Sequence, residues 1–284
     1  MIPWQDRSGK FSPFKLLVFL GLLVPGIYVA AALATGTMGA KPIEAALHET
    51  GEWTVRFLLI TLAVTPLRRL AEWRRVIHVR RMLGVATFCY ALIHLGLYVV
   101  DQNFVIGKVA SEIVVRFYLT IGFIALLGLA ALAATSTDSA VRRLGRKWML
   151  LHKAVYAIAV LALIHQFIQS KIDITEPAIM TGLYLLLMGY RLAKRYKIAL
   201  NTWKLGLLAI IASALTAGAE AAWYWASSTS IDPLLVLQAN LDFSFSIRPM
   251  WWVLGIGLAV AVVHLLRQID WSKAGPAEAG TASR

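Results

Sequence analysis

Apolar residues fall in eight long stretches, at approximately 13–35, 52–67, 82–100, 117–135, 149–169, 177–190, 204–226 and 250–266, with short polar segments between them. About 20 helical residues cross a hydrocarbon layer of ~30 Å, so most of these stretches have the length of a membrane span. The sixth is the short one. A segment in lipid must satisfy its own backbone hydrogen bonds, which makes each stretch a predicted helix. The pattern predicts an all-α integral membrane protein, a polytopic helical bundle of about eight transmembrane helices.

The polar segments alternate in charge. Segment 68–81 carries Arg68, Arg69, Arg74, Arg75, Arg80 and Arg81 against Glu72. Segment 136–148 carries Arg142, Arg143, Arg146 and Lys147 against Asp138, and 191–204 carries Arg191, Lys194, Arg195, Lys197 and Lys204 with no acid. The intervening segments are poor in base: Lys41 with Glu44 and Glu49, Lys171 with Asp173 and Glu176, and Arg248 with Asp232 and Asp242. Segment 101–116 is nearly neutral. Positive-inside counting places the basic segments and both termini in the cytoplasm. Arg7, Lys10 and Lys15 precede a run ending in Ala32-Leu33-Ala34, which imitates a cleavable signal peptide. The run from Leu16 to Ala34 is long enough to span, so a retained first helix is expected. The tail 272–284 is Gly, Ala and Ser with scattered charge and is expected to be disordered.

Composition agrees with the pattern. Of 284 residues 59% are apolar and 15% charged, and mean hydropathy is +0.68. Soluble chains sit near 45–50% and about 25%, so a soluble enzyme is excluded. The formal charge of +13 would suggest nucleic acid in a soluble protein. Here the bases lie between apolar segments rather than in one stripe, which fits anionic lipid headgroups and no nucleic acid. The single cysteine, Cys89, excludes an internal disulfide, a Cys-rich iron–sulfur or zinc site and a c-type haem attachment. There is no fixed-period repeat, dinucleotide-binding glycine motif or P-loop. Nucleotide and substrate machinery would have to come from a partner.

Six histidines are present, His48, His78, His94, His152, His165 and His264. Ligating side chains inside a span are costly and point to function. His94 and His165 lie about 13 and 16 residues into the third and fifth spans, both entered from the cytoplasm. At ~1.5 Å per residue each is ~20 Å or more from that face. Two imidazoles at matched depth suit bis-histidine ligation of haem b; the plainer reading is that each hydrogen-bonds a neighbouring helix. His152 lies 13 residues before His165, ~20 Å nearer the cytoplasm and roughly 140° around an ideal helix. Arg80 and Arg81 stand opposite it. A guanidinium cannot ligate iron but holds phosphate, so an anionic flavin such as FMN fits these three residues better than a second haem; the alternative is a solvated basic patch. Tyr90 and Tyr98 share the face of His94 and are candidates to line its pocket. Trp223, Tyr224, Trp225, Trp251 and Trp252 read as an interfacial belt.

At these residues the chain resembles the MsrQ (YedZ) family, in the ferric reductase-like transmembrane group that includes NADPH oxidases. The motifs are Thr50-Gly51-x-Trp53, Leu62-Ala63-Val64-Thr65-Pro66-Leu67-Arg68-Arg69, Arg80-Arg81-Met82-Leu83-Gly84 and Tyr90-x-x-x-His94-x-x-x-Tyr98. Then come Gly122-Phe123, Thr135-Ser136-Thr137, Arg143-Leu144-Gly145-Arg146-x-Trp148, Leu151-His152-Lys153-x-x-Tyr156 and His165. The likeness covers about residues 50–190. Two features depart from the family: Arg116-Phe117-Tyr118 replaces Arg-Pro-Tyr, and two spans follow the usual six.

The resemblance implies a haem b subunit that passes electrons across the bacterial inner membrane to MsrP, a periplasmic molybdopterin enzyme reducing methionine sulfoxide in oxidised proteins. It implies His94, His165 and His152 as haem-associated residues and FMN as a further cofactor, with Arg80 and Arg81 the candidates for its phosphate. Such a chain is the redox subunit of an oxidoreductase complex, without catalytic residues or a substrate-reducing site of its own. Quinol or a cytoplasmic flavin reductase would be the donor. The expected organisation is an N-terminal segment and first helix over 1–49 and a ferric reductase-like haem-binding core over 50–190, whose five spans with the first helix make the usual six. Two additional helices over 191–271 and a tail over 272–284 complete it. The alternatives are a ferric reductase or oxidase core, which ordinarily carries a fused nucleotide domain, and a non-redox transporter or assembly factor. The last predicts paired polar groups at mid-membrane, and only Glu220 comes close.

Overall fold

A computed structural model describes residues 3–5, 9–170, 173–227, 231–244 and 246–268. Arg7, Lys171 and the tail 272–284 lie outside them. Twelve α-helices and one 3-10 turn account for nearly all of the described chain, which contains no β-sheet. The long helices are α1 (Pro13–Ala34), α2 (Pro42–Leu70), α3 (Arg80–Asp101), α5 (Phe117–Ala134), α8 (Val155–Gln169), α9 (Thr175–Arg195), α10 (Thr202–Ala226) and α12 (Pro249–Gln268). The short ones are α4 (Ile106–Val115), α6 (Asp138–Leu144), α7 (Arg146–His152) and α11 (Pro233–Ala239), with the 3-10 turn at Arg74–Val79. The arginine-rich connections gather at one end of the bundle, called here the basic end. The opposite end is the far end.

Six helical stretches among the described residues are long and apolar enough to cross a membrane: Pro13–Ala34, Arg74–Asp101, Phe117–Ala134, Arg146–Gln169, Thr202–Ala226 and Pro249–Gln268. The other two predicted segments are the central helices α2 and α9. Helix α2 packs against α1, α3, α8 and α9, and α9 against α2, α8, α10 and α12. Neighbouring protein covers them, so they tolerate charge that lipid would not. They also run past the apolar stretches that announced them, α2 beginning at Pro42 and α9 continuing to Arg195. Arg56 on α2 donates from Nε to Glu176 at 2.7 Å and from Nη2 to Glu52 at 2.8 Å, tying α2 to the start of α9.

Distant side chains bond the backbone at or beside the two prolines inside helices. Pro66 has no N–H to offer the carbonyl of Leu62, and Arg191 Nη2 of α9 donates to that oxygen at 2.7 Å. In α1, beside Pro25, the Tyr90 hydroxyl donates to Leu22 O and accepts from Gly26 N, each at 2.7 Å. Tyr90 is therefore buried against α1. It does not line the pocket beside His94, a correction that follows from the opposite senses in which Tyr90 and Tyr98, each four positions from His94, drift by about 40° around the helix.

The fifth segment is not one helix. It breaks between α7 and α8 at Lys153-Ala154, whose N–H groups bond the carbonyls of Leu150 and Leu151, three residues back. The ideal-helix rotation between His152 and His165 therefore does not apply. The last two long helices dock on α9 and on each other through small residues: a Cβ on Gly182 of α9 would meet Thr216 and Val253, and one on Gly257 of α12 would meet Ala209 of α10. Glu220 is 2% exposed and receives hydrogen bonds from Asn240 and Arg248 at 3.1 and 3.2 Å. It anchors α11 to α10, a structural role at the far end. The aromatic belt divides: Trp225 and Trp252 are exposed, whereas Trp223 packs on Phe167 and Trp251 donates to Asn240 O at 2.7 Å.

Candidate functional site

Near the far end, His94 on α3 and His165 on α8 face each other with ring centroids 6.2 Å apart and planes nearly perpendicular. His94 Nδ1 is 2.9 Å from Leu47 O on α2, and His165 Nδ1 is 2.8 Å from Tyr118 O at the start of α5. A carbonyl can only accept, so each Nδ1 carries the proton and each Nε2 keeps a lone pair. That is the arrangement of a metal-ligating imidazole, whose other nitrogen donates to a backbone carbonyl. Two metal–nitrogen bonds of about 2.0–2.1 Å, plus a ring radius of about 1.1 Å on each side, require centroids about 6.3 Å apart. The observed spacing meets that requirement.

Each ring packs on a glycine one turn beyond the carbonyl that holds it. A Cβ on Gly51 would stand 3.0 Å from the His94 ring, and one on Gly122 would stand 2.8 Å from that of His165. Leu47, Gly51 and His94 thus recur 71 positions later as Tyr118, Gly122 and His165. The hairpin of α2 and α3 and the pairing of α5 with α8 present the same three-residue device twice. A periodicity search misses this, because the repeat occurs once and the remaining positions face different neighbours.

A slot of about 150 Å³ runs between the two histidines, walled by Val55, Ala91, Leu126 and Leu129 toward the basic end. Toward the far end it shares Leu47, His48, Tyr98, Leu119 and Gln169 with a cleft of about 670 Å³. Tyr98 donates to Glu112 on α4 at 2.5 Å, Arg116 donates to Glu112 and Tyr118, and Tyr118 supplies the carbonyl that holds His165. The mouth of the slot is thereby laced between the two histidine-bearing sides. Tyr98, unlike Tyr90, does line it.

His152 lies apart from this pair, toward the basic end. Its ring stacks on Trp148 at 4.0 Å, and its Nε2 is 3.1 Å from the Thr135 hydroxyl. That hydroxyl donates its one proton to Ala131 O at 2.7 Å, so His152 Nε2 is the donor to Thr135. Arg80 is within electrostatic reach of His152, Tyr156, Arg191 and Arg68. Arg191 Nε also donates to the Tyr156 hydroxyl at 3.1 Å. Like charges brought this close attract an anion. Arg81 turns away and pairs with Asp138 at 2.6 Å on the surface. Of the predicted basic-end residues, the fold joins Arg80 to His152, leaves Arg81 out and adds Arg191 and Tyr156.

Residues 50–163 match the family described as ferric reductase like transmembrane component. Over 190 residues the chain is 42% identical to a Rhodospirillum rubrum protein named protein-methionine-sulfoxide reductase heme-binding subunit MsrQ, covering 66% of this chain and 89% of that one. The chain belongs to the MsrQ family. A protein of the same name from Azospira oryzae is 36% identical over 198 residues, covering 69% of this chain and 85% of its own. Another, from Xanthomonas campestris pv. campestris, is 46% identical over 159 residues, covering 56% and 73%. No solved structure matches the chain significantly.

With this membership and its apolar helices, the MsrQ-family chain is a multi-pass bacterial membrane protein. The motifs that carried the resemblance have physical reasons in the fold. Gly51 and Gly122 make room for imidazoles, and Pro66 creates the carbonyl that Arg191 fills. Thr135 receives His152, and its own carbonyl accepts from Trp148 Nε1 at 2.9 Å. Gly145, at φ 49° and ψ −121°, joins α6 to α7 in a conformation that disfavours a side chain. The departure at Phe117 is mild: it is the first residue of α5, where proline and other residues are equally admissible because the N–H has no intrahelical partner. Sequence reasoning missed Gln166, beside His165. It lines the slot and is 8% exposed.

Proposed function

We propose that this MsrQ-family chain is a haem b electron-transfer subunit of the inner membrane. It would pass electrons from its basic, cytoplasmic end to a periplasmic MsrP-type molybdoenzyme that reduces methionine sulfoxide in oxidised proteins. The observation that carries the reading is the matched pair His94 and His165, each with Nδ1 tied to a carbonyl and Nε2 free, at a spacing that accommodates one metal between them. The names of the relatives, heme-binding subunits of a protein-methionine-sulfoxide reductase, support it.

Bound there, haem b supplies a one-electron carrier. His94 and His165 would hold it between them through their Nε2 atoms. The carbonyls of Leu47 and Tyr118 fix the tautomer and raise the basicity of each imidazole. Val55, Leu126 and Leu129 exclude water and lower the local dielectric, which together with axial ligation sets the reduction potential. At the basic end, Arg80 with Arg191, Tyr156 and His152 would hold an anionic group, either the phosphate of FMN or an acidic face of a flavin reductase. Quinol is the other candidate donor. The positive-inside charge pattern supports this direction of transfer.

The decisive test is a visible spectrum of the purified protein, expressed with haem available. A Soret band and a dithionite-reduced α-band of low-spin b haem are expected, and the reduced haem should reoxidise when an MsrP-type enzyme and methionine sulfoxide are added. A colourless preparation would overturn the haem reading. Reduced haem indifferent to the partner would overturn the assignment of acceptor.

A further inference from the structure

The polar residues of the slot lie at the level of the two histidines or beyond them toward the far end: His48 and Glu52 on α2, Tyr98 on α3, and Gln166, Gln169 and Ser170 on α8. Thr54 is the one exception, and its hydroxyl is spent on its own helix, donating to Thr50 O at 2.8 Å. Toward the basic end the wall is apolar. A flat ligand with an apolar body and one polar edge is thereby held with that edge toward the far end.

Gln166 is the buried amide in this row that the fold leaves unanswered. It is 8% exposed, and neither Oε1 nor Nε2 has a hydrogen-bond partner among the described residues. A buried amide without partners costs free energy that a leucine in the same place would not. Its position follows directly on His165. The amide Nε2 can donate to a carboxylate oxygen, and Oε1 can accept in turn when that carboxyl is protonated. We propose that Gln166 is a positioning residue for the tetrapyrrole: its amide holds a carboxyl group on the edge of the macrocycle that faces the far end. The proposal rests on the haem reading above and adds the ligand's orientation and the residue that fixes it.

The test uses full-length protein loaded either with haem b or with its dimethyl ester, in which both carboxyls are blocked. Transfer of the bound group to a scavenging apoprotein is timed for the wild type and for Gln166→Leu. The variant should release haem at least about tenfold faster, the loss of one hydrogen bond to a charged group. The ester, whose carbonyl accepts only a neutral hydrogen bond, should be released with a clearly smaller acceleration by the substitution. Thermal melting supplies a readout that a structural role would not give: Gln166→Leu should leave the haem-free protein at least as stable while the haem-loaded form loses stability. Haem release at the wild-type rate, ester release accelerated as much as haem release, or destabilisation of both forms overturns the proposal. Failure of the wild type to take up haem at all overturns the haem reading beneath it, a result distinct from the other three.

Discussion

His165 rests on Gly122 so closely that a methyl group placed on the glycine would stand 2.8 Å from the ring's Cε1 and Nδ1. The contact joins α8 to α5 at the level of the ligand pair and leaves the ring only one place to be. The equivalent contact of His94 with Gly51 is slightly looser, at 3.0 Å. The backbone that receives each imidazole is thus as much part of the site as the imidazole.

Gly122→Ala should therefore displace His165 from the Tyr118 carbonyl and lower the haem-to-protein ratio, measured by pyridine haemochrome. Gly51→Ala should keep more haem and report a smaller disturbance in the low-spin EPR signal. Full haem content with an unaltered EPR spectrum in Gly122→Ala would show that the glycine does not seat the ligand.

His94→Ala and His165→Ala are each expected to lose the haem, since either removes one of two axial nitrogens. His152→Ala should retain most of it, because His152 sits at the basic end with Nε2 directed to Thr135. The opposite ranking in absorbance at the Soret maximum would show the pairing to be wrong.

Tyr90→Phe deletes the hydroxyl that bridges Leu22 O and Gly26 N. The expected cost is about 0.5–1.5 kcal/mol, the net value of a hydrogen bond, because Leu22 O and Gly26 N stand four residues apart in α1 and can pair directly. Haem content should not change, because Tyr90 faces α1 rather than the slot. Detergent-phase thermal melting and the Soret-to-280 nm ratio measure the two quantities on one sample. Haem loss without destabilisation would contradict the geometry.

Arg80→Ala should slow haem reduction by NADH plus a flavin reductase at sub-saturating donor, with expression intact. Arg81→Ala should leave the rate near normal, since it breaks only a half-exposed pair with Asp138, a kind of contact worth about 0–1 kcal/mol. Equal rates in wild type and Arg80→Ala would remove the basic-end site.

Much of this protein was legible in one dimension because the membrane imposes one-dimensional rules. Span length, helical structure and basic-loop alternation follow from bilayer thickness and backbone satisfaction, whatever the neighbours. The depth match of His94 and His165 follows from counting at a fixed rise per residue. The central helices were read too short, because α2 and α9 are screened by other helices and obey packing rather than lipid. The break at Lys153-Ala154 carries no glycine or proline to announce it.

The sequence by itself determined that the chain is a helical membrane protein, which residue types carry its chemistry and at what depth they lie. Tertiary structure alone decided which side chains meet. It turned Tyr90 to α1 and Tyr98 to the slot, sent Arg81 to Asp138 and Arg80 toward His152, and brought Arg191 across to a carbonyl exposed by Pro66. It also set Gly51 and Gly122 under the two imidazoles. The reason is physical. Depth along a membrane normal adds up residue by residue, whereas contact between helices depends on rotation, tilt and side-chain size on both partners, which no single segment encodes.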